Sequence, residues 1–211
     1  MTYVKASVRR PSGNPGNGIQ PKDQLVIYDV DDILSFPQRN DAGVVIEDDI
    51  VMKAGRYAIG IYLTPGTAEI SSNSDGETDA EGYTPSIKFN HPGNEQEIRE
   101  FKTNWLSKKC IVVLRYCSGK PADLIGTPCN PCKLSVSYTG SNESNTNELT
   151  FTQISKGDDI AIYRGTDTLE EPVAVVEAGA TDIDYQTDGQ YQLSAGAAKI
   201  AGVTGGSHGS V

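Results

Sequence analysis

Apolar side chains fall on every second residue in a series of short runs along the chain, and these runs predict strands. Arg56 to Leu63 alternates most cleanly, with Tyr57, Ile59, Ile61 and Leu63 on one face and Ala58, Gly60 and Tyr62 on the other, until Pro65-Gly66 ends it. Leu134, Val136 and Tyr138 follow the same period, as do Leu149, Phe151 and Gln153 within Leu149 to Ile154, and Ile160 with Ile162 within Ile160 to Tyr163. Leu25 to Val30 is a short apolar run suited to a buried strand, followed by a turn at Asp31 and Asp32. Cys110 to Tyr116 is rich in β-branched and aromatic residues. Val44 to Ile46, Ile50 to Met52, Ile87 to Phe89, Val173 to Val176 and Gln190 to Leu193 complete the expected strands.

The period changes once. From Glu95 to Leu106 the apolar residues Ile98, Phe101, Trp105 and Leu106 fall on one helical face, which carries the chain's single tryptophan and is expected to dock on a sheet. Asn94 is placed to cap this helix, with Glu97 three positions on as in a capping box. Lys108 and Lys109 sit where the helix dipole favours cations. The expected fold is therefore mainly β, an antiparallel β-sandwich or small barrel with one flanking α-helix.

Between the periodic runs lie polar stretches. Ser71 to Gly82 carries Asp75, Glu77, Asp79 and Glu81 with nothing apolar larger than Ala80, and reads as an exposed loop. Gly140 to Asn147 reads as a long hairpin loop. Residues 1–22, with Gly13, Pro15, Gly16, Gly18 and Pro21, form a flexible arm that stays mobile or orders against a partner. Residues 23–200 form one β-rich domain, and residues 201–211 a flexible tail in a stretch dominated by Gly, Ala and Ser.

At 211 residues, the chain can bury about 70% of its unfolded surface, so a core forms without disulfides or metal. Its 18 basic and 28 acidic residues give a net charge of -10, and the acids cluster in turns such as Asp29, Asp31 and Asp32 or Glu47, Asp48 and Asp49. No Lys/Arg run offers a nucleic-acid-binding face. An acidic surface instead lets a polyanion pass without sticking. No apolar stretch is long enough to cross a bilayer, so no membrane association is expected.

Candidate chemistry is sparse. Cys129-Asn130-Pro131-Cys132 matches half of a zinc knuckle or a redox pair, but Cys110 and Cys117 are seven residues apart in an expected strand and so point to opposite faces. The four cysteines read as turn or core residues, compatible with a reducing compartment. Of the two histidines, His91 is expected to shape the turn before the helix, and His208 lies in the tail. A Ser-His hydrolase would rest on His91 alone. The carboxylates of Asp75 to Glu81 do not match a calcium-binding EF-hand loop. Carboxylates are plentiful enough to supply a glycosidase-like pair, but their clustering in turns favours solvation over catalysis. No catalytic, cofactor or metal site is expected.

Helix, strand and a polar hairpin leading to an Ile-Ala-Ile-Tyr strand form a pattern over about a third of the chain. From about His91 to Gly165, and especially in Leu124-Ile125-Gly126-Thr127-Pro128-Cys129-Asn130-Pro131, Leu134 to Gly140 and Gly157-Asp158-Asp159-Ile160-Ala161-Ile162-Tyr163, the sequence resembles the structural proteins of tailed-phage virions. More narrowly, it is similar to tail tube proteins of phages or prophages from Bacteroides-like hosts. The chain is longer than a minimal tube protein, and its N-terminal third has no counterpart in that pattern.

The resemblance implies a non-enzymatic virion subunit, assembled in the host cytoplasm, that forms stacked hexameric rings. Strands would join across subunits into a lumen wall, DNA would be passing cargo, and the other partners would be a tape measure and, in some tails, a sheath. Gly140 to Asn147, Ser71 to Gly82 and the arm are the expected contacts. The alternative from a different class is a monomeric β-sandwich that binds carbohydrate or a host-surface ligand through Tyr83, Tyr116 and Tyr185. An acid-base hydrolase is the third.

Overall fold

The computed structural model describes residues 6–13, 16–18, 20–169, 183–185 and 191–193. The chain divides into two compact units, Met1–Glu170 and Glu171–Val211. The first contains β1 (Pro21–Asp29), a 3-10 turn (Val30–Asp32), β2 (Ile33–Ser35), β3 (Val45–Ile46), β4 (Val51–Met52), β5 (Ile59–Tyr62), β6 (Glu69–Asp75) and β7 (Gly82–Pro92). It continues with α1 (Gln96–Trp105), β8 (Cys110–Tyr116), β9 (Ala122–Ile125), β10 (Cys132–Gly140), β11 (Asn145–Gln153) and β12 (Ala161–Tyr163). In the second unit β13 (Ile183–Tyr185) pairs antiparallel with β14 (Tyr191–Leu193), while the expected strand Val173 to Val176 lies outside the described residues.

The first unit is an antiparallel sandwich with one helix. One layer runs β5-β1-β8-β9-β12-β3, antiparallel except for the parallel β12–β3 pair; the other runs β10-β11-β7-β6, wholly antiparallel. The layers join at two corners. On one side Cys132 pairs with Cys110. On the other, Thr64 N–H donates to the Asn90 carbonyl at 2.9 Å and Asn90 N–H donates to Thr67 Oγ1 at 3.1 Å.

Side-chain alternation builds two cores. Leu25, Ile27, Cys110, Val112, Leu114 and Ile125 of the first layer meet Ile87, Phe89, Leu134, Leu149 and Phe151 of the second. The alternate strand positions Val26, Tyr28, Ile111, Val113, Leu124 and Tyr163 face the other way, where Ile46, Ile50 and Ala58 cover them with Ile33, Phe36 and Met52. The first layer is thus buried on both faces, which explains why Leu25 to Tyr28 and Cys110 to Leu114 are unbroken apolar runs. The second layer has one wet face, and its strands alternate.

Several expectations are corrected. Ser71 to Gly82 is not one exposed loop, because its first half is strand β6, paired residue by residue with β7, and only residues 76–81 form the turn. An edge strand takes its stability from backbone pairing and from one partner, so serines suffice where a central strand needs apolar side chains. Gly140 to Asn147 is likewise not a long loop: Gly140 pairs with Asn145, and Asn147 is buried within β11. His91 lies in β7 opposite Asn147 rather than in a turn, and its Nδ1 is 2.9 Å from the Tyr62 carbonyl. Tyr57 is exposed and precedes β5.

The helix docks as expected through Ile98, Phe101 and Trp105, but Leu106 is 54% exposed. Asn94 does not cap it. Its Oδ1 instead accepts from the Lys102 ammonium at 2.9 Å, a charge-assisted bond that competes with a backbone amide, and Glu95, the residue at the N-cap, makes no side-chain cap bond. Lys108, just past the helix end, pairs with the buried Asp29 and lies over the Trp105 ring.

At the Cys110–Cys132 corner, Gly126 has φ +93°, and a Cβ there would lie 3.1 Å from Cys132 Sγ. Gly126→Ala is expected to cost about 1–3 kcal/mol, since it combines a left-handed backbone with a crowded core position. Urea unfolding would measure this, with Gly66→Ala, equally left-handed but in open space, as the comparison.

Candidate functional site: the wet face and free margins of the second sheet

Strand register sets out a polar surface on the second layer. Across it run the rows Ser71, Ser86, Thr152, Lys133 and Glu69, Lys88, Thr150, Ser135, then Asn90, Glu148, Ser137. Small hydroxyl side chains dominate. Two lysines face three carboxylates, Glu69, Asp75 and Glu148, and Lys88 lies 3.5 Å from Glu69, so the surface is close to neutral. It contains no arginine, the residue best suited to grip phosphate by a two-pronged bond.

Both margins of this sheet are free of strand partners among the described residues. β6 pairs only with β7, and β10 has β11 along its length with β8 touching only at Cys132. Free margins present unpaired N–H and C=O groups, which monomeric proteins blunt with charge or short strands. β6 carries Glu69 and Asp75 at its two ends, the latter 3.1 Å from Lys156, with Ser71 to Ser74 between them. The β10–β11 hairpin ends in a tight turn, where Ser141 N–H donates to the Ser144 carbonyl at 2.7 Å.

Titratable groups in the interior belong to structural networks. Asp167 accepts from Tyr28 Oη at 2.5 Å and from Arg115 Nε, while Arg115 Nη2 donates to the Gly165 carbonyl at 2.7 Å. Burial and then the Asp167 charge push the Tyr28 phenol well above its ordinary range, and burial also raises that of Tyr163. Lys102 donates to Asn147 Oδ1 at 2.6 Å and lies 5.1 Å from the Tyr138 ring centre; burial, then Arg99, lowers its pKa.

No protein-family model, curated protein or solved structure matches the chain.

The residues singled out in the sequence are scattered. Cys110 and Cys132 are buried neighbours, with burial pushing the Cys110 thiol up to about 12, whereas Cys117 and Cys129 are exposed. No group of His, Cys, Asp or Glu able to hold a metal ion occurs among the described residues. No helix there is long and apolar enough to cross a membrane. Of the aromatics proposed for ligand binding, Tyr83 is exposed, but Tyr116 packs on the core and donates its hydroxyl to Asp123; His208 and the Tyr185 side chain lie outside what is described. A cleft of about 240 Å³ is lined by Arg39, Thr127, Gln153, Lys156 and Asp158. Asp158 is its one carboxylate, so it offers no acid-base pair.

Sequence reasoning missed the hydroxyl face, although its signal is present. Lys133, Ser135 and Ser137 alternate with Leu134 and Val136, and Thr150 and Thr152 with Leu149 and Phe151. What was missing was the pairing that lays these polar positions side by side.

Proposed function

We propose that the chain is a self-assembling structural subunit of a tailed-phage virion, a tail tube protein whose copies form stacked hexameric rings around a channel for DNA. The observation that carries this reading is a four-stranded antiparallel sheet with a hydroxyl-rich face and two free margins. Completing those margins with neighbouring copies satisfies the backbone groups that a monomer leaves to water. The wet face would then line the channel. Its near-neutral surface, without an arginine cluster, lacks the counterion-releasing contacts that hold nucleic acid in place. Tape measure and sheath proteins are the further partners this reading brings.

Purified full-length protein, examined by negative-stain electron microscopy and sedimentation velocity, is expected to form rings or tubes with a central channel. A strictly monomeric species at high protein concentration overturns the reading.

A further inference from the structure

We propose that the N-terminal arm of one copy adds as a strand to the free margin of β6 on a second copy. This deepens the self-assembly reading and rests on it, naming the segment that makes one of the contacts.

Charge is divided sharply along the chain. The first 22 residues hold Lys5, Arg9, Arg10 and Lys22 and no carboxylate, leaving 14 bases against all 28 acids in the remainder. A basic arm on an acidic body is drawn to another body at long range, and the attraction weakens with salt.

The arm also has the pattern of a strand without a sheet. In the sequence, Val4, Ala6 and Val8 alternate with Lys5, Ser7 and Arg9, and Pro11 ends the run after Arg10. Residues 6–13 are exposed and belong to no strand, with Val8 96% exposed. The period matches β6, where Glu69, Ser71, Asn73 and Asp75 face outward and Ile70 packs on the core. A strand laid along β6 would set its Val/Ala face on the side of Ile70 and Lys5 and Arg9 on the side of Glu69 and Asp75, with one base directly opposite an acid and the other one step along from the second.

Reach allows the contact to be made between copies. The Gln20 carbonyl is held by Cys117 N–H at 3.0 Å, and from there back to Arg10 the extended chain spans up to about 35 Å. That stretch contains Pro11, Gly13, Pro15, Gly16 and Gly18, which add no strand propensity of their own.

The test uses the full-length chain. Copies at natural isotope abundance and ¹⁵N-labelled copies are mixed and coupled with a carbodiimide, which joins amines to carboxylates in direct contact. Mixed-isotope peptides linking Lys5 to Glu69 or Asp75 are expected, and they should be lost at high salt. K5E/R9E/R10E is expected to weaken self-association at least tenfold by sedimentation, and adding E69K/D75K to that variant should restore it. Glu69 and Asp75 make only exposed ion pairs, with Lys88 and Lys156, and the other positions lie in the arm, so urea midpoints should change little. Cross-links confined to one copy, or self-association indifferent to arm charge, overturn the proposal while leaving the subunit reading in place. Retention of duplex DNA that is lost on arm reversal, with self-association unmoved, assigns the arm to nucleic acid and also overturns it. A wild-type monomer overturns both readings.

Discussion

Asp167→Ala is expected to destabilise the first unit by about 3 kcal/mol, because it leaves a guanidinium without its counter-charge in a largely closed site. The Asp167 side chain is 6% exposed and that of Arg115 28%, so solvent screens the pair only slightly. The same substitution frees the Tyr28 hydroxyl, which is fully buried and has donated to Asp167. The consequence extends along the chain, since Arg115 also holds the Gly165 carbonyl, Tyr163 Oη lies 3.3 Å from the Thr166 carbonyl and Thr166 N–H donates to Asp49 at 2.6 Å. Residues 164–169 are therefore fastened as a group. For a chain of this length the loss corresponds to a fall in Tm of about 6–12 °C. The double replacement Arg115→Met with Asp167→Leu should recover much of it, since removing both charges removes the orphan. Thermal unfolding of the three proteins measures this. A fall of less than 2 °C for the single variant would show that the network contributes little.

Most of the fold was legible because burial on a sheet leaves a period in the sequence. Cys110 to Tyr116 was delimited to the residue, and Ile98, Phe101 and Trp105 docked as their spacing required. The failures share a physical cause. β6, the tip of the β10–β11 hairpin and the ends of β7 are held by backbone pairing with few apolar side chains, and nothing in their composition separates them from loops. Asn147 shows the limit clearly. In sequence it is one of several asparagines in a polar tract, and in the structure it is fully buried, donating to the Gly93 carbonyl and accepting from Lys102. Only the packing of α1 over that row makes it an interior residue. The candidate site was hidden for a related reason. A hydroxyl face is a property of four strands in register, and no single segment displays it.

The first unit is also expected to lose its stability steeply in alkali. Burial raises the pKa of Cys110, Cys132, Tyr28, Tyr116 and Tyr163 above their ordinary values of 9.0 for the thiols and 10.0 for the phenols. A raised folded value means that the folded chain keeps protons the unfolded chain has released. The stabilisation is therefore complete below pH 9 and drains away as pH rises toward the folded values. Each group contributes a slope of up to about 1.4 kcal/mol per pH unit. The two thiols act first, from about pH 9, and the phenols join them above about pH 10, so the decline steepens there. Urea midpoints from pH 8 to 11 should show a shallow decline that steepens past pH 10. Tyr28→Phe separates the phenol from the rest: at neutral pH it should be less stable by about 1–3 kcal/mol, having lost the hydroxyl's bond to the Asp167 carboxylate, yet its alkaline limb should be shallower by one proton. The two curves are expected to converge as pH rises. A wild-type midpoint that stays level to pH 11 would mean that these phenols and thiols titrate in the folded protein as they do in water.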